Sequence, residues 1–359
     1  MHKRPIIGIT MGDPAGIGAE ISIKALSDTA IYENCRPIII GDAMCMQKAA
    51  EILQKDIKIH TVQNVADAKF TYGTIDVYDM QLVDITRHIY GKVDKMCGEA
   101  AFQYVAKGIS LAMQGDIDAT VTNAISKEAI NLAGHHFSGH TEIYAYYTKT
   151  NRYTMMLAYE DLRVVHVSTH ISLREACERV KKDRVLEVIR IADAACKAIG
   201  IANPKIGVAG LNPHCGENGM FGKEEIEEIQ PAIDAAMMEG ICIPEKKPTP
   251  PDSIFPKALG GWYDIVVAMY HDQGHIPLKV KGFVYNKALQ KWDAVSGINV
   301  TLGIPIIRVS VDHGTGFDLA GSGQASELSL VNSINYAIRL AINNKQEEKS
   351  NGKTIHDCR

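Results

Sequence analysis

Short apolar runs alternate with helix-periodic segments, and this rhythm constrains the fold more than any other feature of the chain. Residues 5–10 (P-I-I-G-I-T), 37–40, 57–61, 74–78 and 119–122 are too short for helices and read as strands. Helical spacing of apolar residues occupies positions up to about 26, then about 43–53 and 98–113. Parallel strands cannot be joined by a tight turn and need a crossover, so the alternation predicts an α/β domain with a largely parallel sheet. A chain of 359 residues is long enough for two domains at roughly 150 residues each, and 46% hydrophobic content can fill both cores.

The second half continues in kind. Residues 153–158 and 162–167 read as a hairpin-like pair, 182–199 as a helix and 205–209 as a strand. Residues 223–239 read as an amphipathic helix whose Glu224, Glu225, Glu227 and Glu228 form a solvated face. The run I-V-V-A-M at 265–269 is a buried strand that stops at the polar turn Y-H-D-Q-G-H, and I-P-I-I-R-V-S is a strand ended by Arg308. A final helix is expected over 326–343, and the polar tail from 344 is expected to fray.

Polar side chains collect at the ends of these strands, where α/β proteins bind ligands. The turn M-G-D-P-A-G-I-G brings Gly12, Asp13, Gly16 and Gly18 ahead of a helix start; an anion seat and a purely structural turn fit it equally. Its spacing is neither G-x-G-x-x-G nor a P-loop. Ser126 is a candidate helix cap, and His140 with Thr141 is expected at a helix N-terminus suited to phosphate or carboxylate. Ser172 and Glu175 form a capping box just after His170. His170, His214 and His271 share one placement, the carboxyl end of an apolar strand, although their separations match no local metal motif. Converging imidazoles without thiolates would suit Zn²⁺ or another borderline divalent ion, and the metal's identity stays open. Lys279, Asn299 and Arg308 are polar residues in apolar or Gly-rich surroundings, and Val311–Ala325 is a Gly-rich loop before the last helix.

The net charge of −4 with scattered basic residues gives no footprint for nucleic acid or a membrane surface. Apolar runs fall far short of the ~20 residues of a membrane span. The eight cysteines form no C-x-x-C pair and no signal segment opens the chain, so a reduced, cytoplasmic protein is expected.

Six motifs in order, G-D-P-A-G-I-G (12–18), S-G-H-T-E (138–142), G-L-N-P-H-C-G-E (210–217), P-D-S-I-F (251–255), Y-H-D-Q-G (270–274) and S-V-D-H-G-T-G-F-D-L-A-G (310–321), cover nearly the whole chain. Together they resemble the 4-hydroxythreonine-4-phosphate dehydrogenase family of vitamin B6 biosynthesis. The first and last also resemble the wider isocitrate and isopropylmalate dehydrogenase group. The resemblance implies an α/β/α fold of that group, with two domains and the active site in the cleft between them, and a homodimer. The expected domains are 1–130 plus 300–345 on the cofactor side, 131–299 for metal and dimer contacts, and 346–359 as a flexible tail.

By position, the family's metal ligands fall on His170, His214 and His271, the last reaching into the partner's site, with Zn, Co, Mn or Mg as the ion. Substrate-binding residues fall on His140, Thr141, Lys279, Asn299 and Arg308. NAD, or NADP, is expected against Gly12, Asp13, Gly16, Asp312, His313, Gly314, Asp318 and Gly321, and Asp252 and Lys279 are the candidate proton shuttles. Residues 285–297 look like an insertion. They and the run V-H-V-S-T-H-I-S-L-R-E resemble paralogues that oxidise four-carbon sugar-acid 4-phosphates, such as 4-phospho-D-threonate or 4-phospho-D-erythronate. The implied reaction is oxidation at C3 followed by decarboxylation to dihydroxyacetone phosphate. The alternatives are action on 4-phosphohydroxythreonine, a zinc hydrolase, an acyl-phosphate transferase and a non-catalytic phosphometabolite binder.

Overall fold

The apolar runs of the N-terminal half form a parallel sheet. The computed structural model describes residues 4–287 and 291–356, divided into a first unit (Met1–Asn151, Ala294–Ile298, Ile304–Arg359) and a second (Arg152–Asp293, Asn299–Gly303). In the first unit the strand order is Lys58–Val62, Thr74–Asp79, Arg36–Gly41, Ile6–Thr10, Ala119–Thr122, Arg308–Val311, with every neighbour parallel. Ile7, Ile9, Ile38, Ile39, Ile40 and Val121 are fully buried. Consecutive residues along the central strands Ile6–Thr10, Arg36–Gly41 and Ala119–Thr122 are buried, so both faces of the sheet are covered there, which explains why these strands read as continuous apolar runs rather than alternating ones.

The helix Lys95–Gln114 is capped by Asp94, which accepts from the N–H groups of Met96 and Cys97, and is closed by Gly115 in the left-handed region (φ 78). Through Phe102, Val105 and Ile109 it packs on Ile130, Ile143 and Tyr144. That cluster holds residues 131–151 in the first unit, so the boundary falls at Asn151–Arg152 rather than after residue 130. Arg308 opens its strand instead of ending it. The last helix runs Leu328–His356, well beyond the expected 343, and Lys345 pairs with Asp118 at 2.7 Å. The segment expected as a flexible tail from 346 is therefore helical as far as His356; its Gln, Glu and Lys residues are good helix formers with no proline to stop them.

In the second unit the order is Ile298–Leu302, Thr154–Tyr159, Leu162–His166, Ile265–Ala268, Ile206–Val208. Thr154–Tyr159 and Leu162–His166 are an antiparallel pair; the pairings of Ile265–Ala268 are parallel. Leu157, Val164, Val266, Ile254, Phe255 and Leu278 fill its core. The polar stretch after Met269 is no loop: His271 begins the helix His271–Gly282. This helix lies against Leu162–His166, and a Cβ at Gly274 would stand 2.3 Å from His166 Nε2. Gly274 therefore serves close approach rather than a turn. Across the start of the expected insertion (285–297), Phe283–Asn286 and Lys291–Val295 form a two-stranded sheet, and residues 288–290 lie outside the described ones.

The expected helix 223–239 is a π-helical turn, Glu225–Ile229, followed by the α-helix Gln230–Met238. Glu225 is 3% exposed, so it does not belong to a solvated face. Among the described residues, no helix is long and apolar enough to cross a membrane.

Candidate active site

In the first unit a buried cation is set beside a helix start. Arg308 is 2% exposed; its Nε and Nη2 donate to Thr122 Oγ1 at 3.2 and 2.9 Å, and its guanidinium lies 5.7 Å from the centre of the Tyr144 ring. Tyr144 is itself held by its hydroxyl, which donates to Thr120 Oγ1 at 2.9 Å. Burial pushes the Arg308 pKa down to about 10, with Tyr144 and Glu142 acting the other way, so the group remains a cation at neutral pH. His140 begins the helix His140–Thr148, with Thr141 next to it in the first turn. Burial, and secondarily the charge of Arg308, push the His140 pKa well below its ordinary value. The ring is neutral, and its Nε2 is buried with no hydrogen-bond partner among the described residues. A desolvated guanidinium, a neutral imidazole and a helix N-terminus suit a phosphate.

The two Gly-rich loops meet elsewhere in the same unit. Ile17 N donates to Thr315 O at 3.0 Å and Gly91 N to Ala15 O at 2.8 Å. Gly12 (φ 79) and Gly16 are buried, and a Cβ on them would stand 2.5 Å from Ala124 O and 2.6 Å from Thr315 O. Both have a packing reason to be glycine. Asp13 is 1% exposed and accepts from Ala15 N at 2.9 Å; burial pushes its pKa up to about 6 against hydrogen bonds from Ala15 and Ser126. In the late loop, His313 Nδ1 lies 2.8 Å from Gly314 O, its Nε2 is buried without a partner among the described residues, and burial lowers its pKa. Gly314 and Asp318 are exposed. An orphaned ring nitrogen beside an open glycine edge fits a polar ligand such as a dinucleotide.

This packing sets a test. Gly16→Ala is expected to destabilise the protein by about 1–3 kcal/mol through overpacking on Thr315 O, lowering the unfolding midpoint by several degrees. Gly314→Ala, where an added Cβ meets nothing within 4 Å, should leave the midpoint unchanged. Thermal unfolding of both variants decides it.

The second unit carries the histidines. His170 and His271 have ring centres 5.9 Å apart and line one cavity of about 470 Å³ with Thr169, Tyr270 and Asp272. His271 Nδ1 is 2.6 Å from Asp272 Oδ1; when Nδ1 donates to that carboxylate, Nε2 is left as a lone-pair donor. His271 stacks on His275 at 3.6 Å and 13°, and His275 Nδ1 donates to His271 O at 2.9 Å. Behind it lies His166, 4.8 Å from His275. Burial, then neighbouring histidines, push these two inner rings down to about 4 (His275) and about 3 (His166), so both are neutral. His214 is exposed, in the turn Pro213–Gly219, and is not among the residues lining the cavity. Among the described residues, no three His, Cys, Asp or Glu side chains are gathered as a cage. Two imidazoles on an open cavity, one oriented by a carboxylate, fit part of the ligand set of a borderline divalent ion.

Asn299 donates through Nδ2 to Met155 Sδ at 2.7 Å, while its Oδ1 is buried without a partner among the described residues and fits a substrate hydroxyl. Lys279 places Nζ 4.4 Å from the centre of the Phe283 ring. Asp252 is exposed in the first turn of Pro251–Leu259. Two residues to which the sequence reading assigned no role in a site hold loops in place. Glu20, fully buried, accepts from Gly321 N and Gly323 N at 2.5 and 2.6 Å, and Glu225 holds the His214 turn. A carboxylate on an apolar helix face was the available signal for Glu20.

The chain is 46% identical over 347 residues to a protein of Oceanobacillus iheyensis provisionally named D-threonate 4-phosphate dehydrogenase, with 95% of this chain and 99% of that one covered. The crystal structure of 4-hydroxythreonine-4-phosphate dehydrogenase from Klebsiella pneumoniae matches with a TM-score of 0.82 at 40% identity, over 94% of this chain and 99% of that one. A Burkholderia phymatum 4-hydroxythreonine-4-phosphate dehydrogenase matches with a TM-score of 0.80, also at 40% identity and with the same coverage of both chains. The chain is thus an α/β oxidoreductase of the dehydrogenase type. Residues 33–337 match the family of the pyridoxal phosphate biosynthetic protein PdxA, and the chain belongs to that family.

Proposed function

We propose that the protein oxidises a four-carbon 4-phosphorylated hydroxy acid at C3 and decarboxylates the product, with 4-phospho-D-threonate or 4-phospho-D-erythronate as substrate. The observation that carries this reading is the buried Arg308 beside neutral His140 and the helix start at Thr141, a seat for a terminal phosphate. The provisional name of the Oceanobacillus relative supports threonate; the names of the two solved structures support 4-hydroxythreonine 4-phosphate as the second reading.

A divalent metal held by His170, His214 and His271 would supply Lewis-acid polarisation of the substrate's oxygens and offset the negative charge left when CO₂ departs. NAD or NADP against His313 and Gly314 would accept the C3 hydride. The protein's own groups do the rest. Arg308, His140 and Thr141 hold the phosphate, which fixes the position of C3. Asn299 Oδ1 accepts from a substrate hydroxyl. The C3 hydroxyl proton passes to Lys279 or Asp252, the same group then being able to return a proton to C2 after the C1–C2 bond breaks. The balance is one hydride to the cofactor, one carbon as CO₂ and dihydroxyacetone phosphate.

The working unit in this reading is a homodimer, with His271 completing the partner's metal site. Ile276 and Val280, 60% and 78% exposed, lie on the outer face of the helix that begins at His271, while His275 and Leu278 fill its inner face. Such an apolar stripe suits a second copy.

The test is near-ultraviolet absorbance of reduced nicotinamide with NAD⁺ or NADP⁺, Zn²⁺, Co²⁺ or Mn²⁺, and each candidate substrate. Metal-dependent reduction with a phosphorylated sugar acid, yielding dihydroxyacetone phosphate, is expected. Turnover only with 4-phosphohydroxythreonine would select the second reading, and no reduction with any of them would overturn both.

A further inference from the structure

Glu225 is buried while its neighbour Ile226 is 55% exposed, the reverse of what their chemistry leads one to expect. The π-helical turn Glu225–Ile229 causes the inversion, because its wider hydrogen-bond ring shifts the helical phase and turns a carboxylate inward. Oε1 accepts from Leu211 N at 2.8 Å and Asn212 N at 2.7 Å. Oε2 accepts from Asn212 Nδ2 at 3.0 Å, and the same amide donates to Glu224 Oε2 at 2.7 Å. The turn closes tightly on this carboxylate: a Cβ at Gly210 would lie 3.1 Å from Oε1, and one at Gly216 would lie 2.9 Å from Oε2.

From the clamped Asn212 the chain enters a left-handed run, with φ of 51 at His214, 56 at Cys215, 77 at Gly216, 44 at Glu217 and 56 at Asn218. Each non-glycine residue there costs about 1–2 kcal/mol, so the run persists only where its surroundings over-determine it. Charge-assisted hydrogen bonds from two consecutive backbone N–H groups to a buried carboxylate supply that constraint.

We propose that Glu225 is a positioning residue, which sets the direction of the His214 imidazole by clamping Leu211 and Asn212 and thereby governs metal affinity without being a ligand. The inference rests on the reading of His214 as a metal ligand. Its test is Co²⁺ affinity of the full-length protein by calorimetry and by the visible bands of Co²⁺, with amide exchange at residues 211 and 212 as a second readout.

Glu225→Ala should weaken Co²⁺ binding by about tenfold or more, the range for residues that orient a ligand, and should speed exchange at both amides. In a His214→Ala background it should cause no further loss of affinity; a merely structural role would lower the unfolding midpoint and subtract the same factor in both backgrounds. Glu225→Gln keeps one acceptor but turns an amide toward Asn212 Nδ2, and should weaken binding severalfold; it carries the test if the alanine variant does not fold. Unchanged Co²⁺ affinity in the Glu225 variants, with affinity lost in His214→Ala, overturns the inference alone. Co²⁺ affinity that His214→Ala leaves undiminished overturns the ligand assignment beneath it.

Discussion

Arg308→Met is expected to lower kcat/KM for the phosphorylated substrate by roughly a thousandfold, while leaving the protein at least as stable as before. In the proposed seat the guanidinium would present two or more charge-assisted hydrogen bonds to a phosphate, each worth about 1.5–3 kcal/mol, and every 1.4 kcal/mol is a factor of ten. Stability should not suffer, because the site is built at a cost. Burial pushes the Arg308 pKa down to about 10, which means that the folded state disfavours the charge it carries. A methionine of similar reach removes that penalty, which offsets the two hydrogen bonds to Thr122 Oγ1 that are lost with the guanidinium. Arg308→Lys separates charge from geometry, since an ammonium cannot reproduce the planar fork, and should recover only part of the loss. Inorganic phosphate gives a readout independent of turnover: it should raise the unfolding midpoint of the wild type and not that of Arg308→Met. Equal stabilisation of both proteins would remove Arg308 from the phosphate seat.

Much of the architecture could be read from the letters because the forces that set it are local. Continuous apolar runs at residues 5–10 and 119–122 became parallel strands buried on both faces, and the expected caps at Ser126 and Ser172 accept from Ala129 N and Glu175 N. What was not legible depends on contacts far apart in sequence or on helical phase. The stretch after Met269 carries Gly and Pro, which suggest a turn, yet it is a helix because Gly274 allows it to lie against His166. Residues 131–151 stay with the first unit because Ile143 and Tyr144 share a core with Phe102. Glu225 was misplaced because a 3.6-residue period puts it outside, and only a π-turn brings it in. The expected helix start at His140 and Thr141 is where the helix His140–Thr148 begins. The burial that makes His140 neutral and Arg308 desolvated is a property of the packed unit, and no spacing rule contains it.

Mixing two inactive variants should restore activity if the metal site is shared between copies. If His214 and His271 are the proposed ligands, His214→Ala and His271→Ala are each expected to lose metal-dependent turnover by about a hundredfold or more, as the coordination set would be left incomplete. Within one chain, His170 and His271 share a cavity and His214 stands outside it, so the three can be united by a second copy or by movement of the left-handed turn. The two routes differ in what a mixed dimer can do. If His271 serves the partner, a dimer of one His214→Ala chain and one His271→Ala chain has both lesions in one site and an intact set in the other. Random reassembly of equal amounts makes about half the dimers mixed, each with one working site of two, so roughly a quarter of wild-type activity should return. If all three ligands come from one chain, every site in the mixture keeps a lesion and activity stays at the level of the separate variants. Refolding or slow exchange of the two proteins together, followed by NADH formation and Co²⁺ titration, distinguishes these results, and recovery without a matching return of tight Co²⁺ binding would count against a metal-centred site altogether.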